Sequence, residues 1–286
     1  MNIFARLFFT FMFSILLGSA AHSASISYSC NLEIERLIRG CSIVLSGPIE
    51  KGDASRFKDV LKRPLPEGWS YNDLILDSMG GEVDEAIAIA KMVKEAVLKT
   101  TTIDARWKLK EIKPTTRLFF PCVSACFLVW VAGAERFSYQ TVEKGEKVGL
   151  GLHRPFFSSS TYRDSPSVVA DKQARLMLEV RSYLKGEQIP DSLIDKMMHR
   201  SSKEIYWLDE NVDGDLSGIA PWFEELLISR CDYDPAYRRE QESAIVRRFN
   251  DKSARPASEE KFIKWMQAVN YCKYEIIRSA QSALRN

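Results

Sequence analysis

Three short segments carry residue types that can do covalent chemistry. Ser124 lies in Pro121-Cys122-Val123-Ser124-Ala125-Cys126-Phe127, at the head of an apolar stretch. A serine at a helix start either caps it, accepting from a first-turn N–H, or serves as a nucleophile beside the positive end of the helix dipole. His153 ends Val148-Gly149-Leu150-Gly151-Leu152-His153, directly before Arg154-Pro155. Histidine supplies a base of near-neutral pKa for serine activation, although a lone histidine at a strand end also serves structure. Asp77-Ser78-Met79-Gly80-Gly81 stands between an apolar strand pattern and a helical one. Paired glycines there allow a tight turn, and the outward N–H groups of a helix start attract an anion or a developing oxyanion. The chain has 3 histidines, and with scattered carboxylates they form no metal-ligand set. No cofactor is implied.

The elements around these residues follow from periodicity. Cys41–Ile49 is a β-branched run ending at Gly47–Pro48, and Asp53–Lys62 has helical spacing. Leu74–Leu76 is a buried strand, and Ala86, Ile87, Ala90, Val93 and Val97 mark the helix after the glycines. Thr101–Ala105 is β-branched, Ala125–Ala134 reads as a helix buried all round, and Arg136–Tyr139 and Lys147–His153 read as strands. Ser165–Lys185 and Asp191–His199 are helical, and Ile205–Leu208 is a short strand. From about Cys231 the chain is helical and charged, broken at Pro235 and Pro256, with Asn250–Ser258 as its loosest linker. Strands alternating with helices make an α/β class with parallel pairing.

The N-terminus predicts export. Met1–Arg6 is basic, Leu7–Leu17 is almost unbroken in apolar residues, and small residues follow from Gly18 to Ala24. An apolar core of ~11 residues with a small-residue exit is a secretory signal peptide; a membrane span takes about 20 apolar residues. The expected domains are a signal peptide over 1–24, a main domain over 25–229 and a C-terminal helical extension over 230–286. The mature chain is expected to be periplasmic or secreted, with no integral membrane segment. Export lets the 6 cysteines pair. Cys30 and Cys41 bracket one segment and Cys231 and Cys272 another; Cys122 and Cys126 flank Ser124, as a third bridge or as two buried thiols. A formal net charge of +2 gives no electrostatic case for nucleic acid, and Arg238, Arg239, Arg247 and Arg248 read as a solvated helix face.

Taken together, a strand ending in Ser-Met-Gly-Gly, the run Val-Ser-Ala-Cys-Phe-Leu continuing to Ala-Gly-Ala-Glu-Arg-Phe, and Gly-Leu-His-Arg-Pro resemble the Clp protease proteolytic subunit, over about residues 41–227. The resemblance implies a crotonase-like spiral of β-β-α units and a serine hydrolase of the peptidase type, acting on peptide or unfolded protein and able to form homo-oligomers. It implies Ser124 as nucleophile, His153 as general base, and the N–H groups of Gly81 and Ala125 as oxyanion donors, with Gly80 shaping the turn. Two positions depart from the family. Met79 stands where proline is usual, and His199–Ser202 aligns with the family's aspartate, leaving Asp195 and Glu204 as the nearest acids. The other readings are an inactive domain that binds peptide in the same cleft, a serine–lysine pair through Lys172 or Lys185, and Cys126 as nucleophile. Acyl-CoA chemistry, also found on this fold, lacks a reason to operate where CoA is scarce.

Overall fold

A computed structural model describes residues 23–31, 40–102, 120–138, 141–143, 146–156, 164–201, 203–214, 216–251 and 257–285. The proposed signal peptide lies outside the described residues, apart from Ser23 and Ala24. So do most of Thr101–Ala105, the end of Arg136–Tyr139 and the middle of Asn250–Ser258.

The strands are β1 (Ser25–Asn31), β2 (Gly40–Ser46), β3 (Ser70–Asp77), β4 (Lys99–Thr101), β5 (Pro121–Val123), β6 (Glu135–Phe137), β7 (Thr141–Glu143), β8 (Glu146–Leu152), β9 (Tyr206–Trp207) and β10 (Gly218–Ile219). The helices are α1 (Asp53–Leu61), α2 (Val83–Glu95), α3 (Ala125–Trp130), α4 (Pro166–Gly186), α5 (Asp191–His199), α6 (Glu210–Asp213), α7 (Pro221–Cys231), α8 (Pro235–Asp251) and α9 (Ala257–Arg285). The chain is a mixed α/β fold. One sheet runs β1-β2-β3-β4-β6-β10, parallel through its centre and antiparallel at both edges. In a second sheet, β8 pairs with β5, β7 and β9.

The sequence explains the central strands. Leu74, Ile75 and Leu76 form a continuous apolar run because helices cover both faces of a parallel sheet, and all three are buried. The helical positions Ala86, Ile87, Ala90 and Val93 are likewise buried, forming the face of α2 turned to the core. The helix expected over Ala125–Ala134 stops at Trp130. The Val131, Ala132 and Gly133 amides turn back to Phe127, Val129 and Trp130, and Ala134 N–H donates instead to the carbonyl of Leu98, just before β4. β1 is an addition to the expected elements: Ile26, Tyr28 and Cys30 alternate with serines, and Cys30 faces Cys41 in register, where the two are disulfide-bonded.

The second sheet is anchored to the end of β3. Ser78 N–H donates to Pro121 C=O at 2.9 Å, and Val123 N–H to Ser78 C=O at 2.9 Å. Beyond Cys231, α9 returns over the first sheet, joined to α7 by Cys231–Cys272. Closing a loop of this length removes roughly 4 kcal/mol of unfolded-state chain entropy. Tyr71 lies two residues beyond the stretch of β3 that β4 covers. There Gln281 of α9 takes the neighbour's part, accepting from Tyr71 N–H at 2.8 Å and donating to Tyr71 C=O at 2.6 Å.

A polar cluster fixes the short strand β9. Asp213, with its side chain 1% exposed, accepts from the Tyr206 hydroxyl at 2.8 Å, from Lys196 Nζ at 2.5 Å and from Asp209 N–H at 3.0 Å. Burial pushes this carboxyl up, but the three donors outweigh it and hold it below the ordinary aspartate value. A depressed carboxylate stabilises the fold above its unfolded pKa and ceases to as pH falls through the folded value. Asp213→Asn is expected to cost about 1–3 kcal/mol at neutral pH. The deficit against wild type, measured by urea denaturation, should shrink as pH drops below the ordinary aspartate range.

Candidate active site

The site is built where β3, β5 and β8 end together. After β3 the chain turns through Gly80 (φ 99°) and Gly81 (φ 148°), in the left-handed region that favours glycine. The turn is gripped by its neighbour: Ile49 N–H donates to Gly80 C=O at 2.8 Å, and Glu82 N–H to Ile49 C=O at 2.8 Å. A Cβ on Gly81 would collide with the Ile49 backbone, and one on Gly80 would lie 2.7 Å from both Ser124 Cβ and the Val123 carbonyl oxygen. The glycine pair is therefore dictated by contact as well as by conformation.

Ser124 sits between β5 and α3 with φ 57° and ψ −124°, a strained conformation for a residue with a side chain. Its N–H donates to Gly151 C=O of β8 at 2.9 Å, and its own C=O accepts from Phe127 N–H at 2.9 Å. Its hydroxyl makes no capping bond to the helix. The capping explanation for this serine fails, because the turn that opens the helix holds the residue outside the extended geometry of a side-chain cap. Cys122 and Cys126, both fully buried, are disulfide-bonded across the turn. In this state Cys126 has no thiol to act as a nucleophile.

His153 follows β8 directly and is 8% exposed. Its Nδ1 lies 3.0 Å from the Arg154 carbonyl oxygen. A carbonyl only accepts, so Nδ1 carries the proton, and the neutral ring has its lone pair on Nε2. Phe156 packs against the imidazole, ring centroids 5.5 Å apart.

Ser124, His153 and Gly81 line one cavity of about 250 Å³, together with Ile49, Met79 and Leu176. Among the described residues no hydrogen bond joins Ser124 to His153; the cavity wall is what they share. Gly80 and Ala125 lie behind that wall, both buried. Among the described residues, neither the Gly81 N–H nor the Ala125 N–H has a backbone acceptor.

The two acids nearest in sequence fall differently. Asp195 does not join the cavity: its carboxylate pairs with Arg181 at 2.6 Å, and that hydrogen bond holds it below the ordinary aspartate value. Glu204 also lies off the cavity lining and is exposed. Its N–H donates to Ser201 C=O at 3.2 Å, in the turn that leads into β9. Lys172 and Lys185 pair with Asp164 (2.6 Å) and Asp191 (2.9 Å) on α4 and its flanks, and neither lines the cavity.

Sequence reasoning did not single out three carboxylates at this cavity, Glu50, Glu82 and Asp84. Glu82 and Asp84 follow the glycine pair immediately and could have been read from it; Glu50 reaches the site only through tertiary packing. The Asp53 carboxylate, fully buried, accepts from Glu50 N–H at 2.9 Å and fixes that loop. A second cavity of about 240 Å³ lies between the first sheet and α9, but its charges are already matched, Lys99 with Asp73 (2.6 Å) and Lys273 with Glu135 (2.7 Å).

No family model and no curated protein sequence matches the chain. Solved structures similar to it include three of proteases. One is a mutant of the 1510-N membrane-bound stomatin-specific protease, 10% identical, covering 62% of this chain and 75% of that one at a TM-score of 0.40. The others are a mutant of ClpP1 from Listeria monocytogenes (14% identical, 62% and 86% covered, TM-score 0.39) and ClpP1 itself (13% identical, 62% and 88% covered, TM-score 0.37).

Gly80→Ala tests whether the turn positions Ser124. The added methyl meets backbone at 2.7 Å in a left-handed conformation, so a loss of about 2–3 kcal/mol in urea denaturation is expected. The serine turn must shift with it.

Proposed function

We propose that the chain is an exported serine hydrolase of the peptidase type, with Ser124 as nucleophile and His153 as general base. The observation that carries this reading is the pairing on one cavity of an uncapped, strained serine with a histidine whose Nδ1 is occupied. Strand, strained serine and helix form an elbow that presents the hydroxyl for attack. His153 Nε2 takes the proton as Ser124 Oγ attacks a carbonyl carbon, and returns it to the leaving amine. The free N–H groups of Gly81 and Ala125 then hold the oxyanion, and water releases the acyl group. Peptide as the substrate class rests on the motif resemblance.

The Arg154 carbonyl does for the imidazole what a carboxylate does in a triad, fixing its tautomer and orientation; it cannot match a charge in stabilising the imidazolium. Asp195 is committed to Arg181, which leaves Glu204 as the candidate to add that charge. Export is supported by the N-terminal pattern and by three disulfides. Among the described residues no helix is long and apolar enough to cross a membrane.

A second reading is a peptide-binding domain without turnover, favoured by the lack, among the described residues, of a carboxylate on His153 and of a bond between it and Ser124. A fluorophosphonate probe separates the two. The hydrolase is expected to label at Ser124, and both Ser124→Ala and His153→Ala should abolish labelling. Ser124→Ala should leave stability within about 0.5 kcal/mol, since no cap is lost. Glu204→Gln should lower the rate and Asp195→Asn should not. Wild type that never labels while binding peptide would establish the binder.

A further inference from the structure

Beyond the serine and histidine, the cavity has a distinctive electrostatic composition. Glu50, Glu82 and Asp84 line it, and among the described residues no lysine or arginine does. Two of these acids have a local reason to be there, since Glu82 is the N-cap position of α2 and Asp84 lies in its first turn, where the dipole favours negative charge. Glu50 has none. It comes from the separate loop between β2 and α1, steered to the same rim by the bond from its N–H to buried Asp53. Among the described residues no carboxylate of the three is ion-paired or side-chain hydrogen-bonded, while the neighbouring Glu85 and Asp53 accept from Ala54 and Glu50 amides.

Two further observations point to a ligand. His153 is nine-tenths buried and faces this cavity with its Nε2 unpartnered. The rim also exposes large apolar side chains, Met79 at 54% and Phe156 at 50%. Apolar flanks beside a ring of unpaired carboxylates complement a side chain with a hydrocarbon stem and a cationic head. We infer that the cavity selects extended peptide segments carrying lysine or arginine close to the carbonyl presented to Ser124. This specificity rests on the hydrolase reading for its placement at a scissile bond, but the binding preference stands without turnover.

The test uses the full mature chain carrying Ser124→Ala, which removes turnover, and fluorescein-labelled decapeptides differing only in two central residues, Lys-Arg, Gln-Gln or Glu-Glu. Anisotropy titration should give about tenfold tighter binding of the Lys-Arg peptide than of Gln-Gln, and weaker binding still for Glu-Glu; three screened charge contacts support a ratio of that order. The ratio should fall as salt rises from 50 to 300 mM, on general screening grounds. Adding Glu50→Gln, Glu82→Gln and Asp84→Asn should bring it to about one while circular dichroism stays unchanged. Equal affinities for Lys-Arg and Gln-Gln peptides, or a preference that survives the triple change, would overturn the inference. Fluorophosphonate labelling of wild type reports separately: charge-selective binding without labelling fells only the hydrolase reading, and labelling without charge selection fells only this one.

Discussion

The bond from Ser124 N–H to the Gly151 carbonyl of β8 is the contact on which the site depends. It fixes the serine in a backbone conformation that a free chain would abandon, and it does so from the strand that carries His153. Two bonds tie Ser78 to β5 on the other side, so the glycine turn, the serine turn and the histidine strand are mutually located. Strain of about 1–3 kcal/mol at Ser124 persists only because these neighbours over-determine it. Any movement of β5 relative to β8 would uncouple serine from histidine.

Helix α4 transmits that order outward. Near its start, Gln173 Nε2 donates to Pro155 C=O at 2.6 Å, next to the histidine loop, while Leu176 reaches the cavity. Near its end, the Tyr183 hydroxyl donates to Leu128 C=O of α3 at 2.8 Å, and Glu187 pairs with Lys94 of α2 at 2.9 Å. Burial lowers the pKa of nearby Arg136, and the Glu187 carboxylate works against that shift. One helix thus ties the loop that follows His153 to the helix that follows Ser124.

Much of this was legible in the sequence, and the gaps have physical causes. The strand, glycine pair and helix around Gly80 follow from local periodicity, as does Asp191–His199, whose bounds match α5. Local patterns are least informative where tertiary contacts decide. Ser124 has the composition of a cap, yet a backbone angle set by Gly151 leaves its hydroxyl unused. The Ala125–Trp130 helix is shorter than its apolar run because Ala134 is captured by Leu98. Residue types point to acids as the orienting partner of His153, whereas the structure offers a main-chain carbonyl, which no residue type announces. Glu50 belongs to the same class, a residue whose neighbours come from elsewhere in the chain.

The Gln281 amide that stands in for a strand beside Tyr71 bears on the order of assembly. Gln281 and Tyr71 lie 210 residues apart in sequence. Such closures carry a large loop entropy and come late on a folding pathway. The first sheet can therefore collapse from β2, β3 and β4, which are near neighbours in sequence, while the amide and carbonyl of Tyr71 stay open to solvent. Only when α9 arrives is that gap sealed, which makes docking of the distal helix the step that separates a loosely formed sheet from the native one.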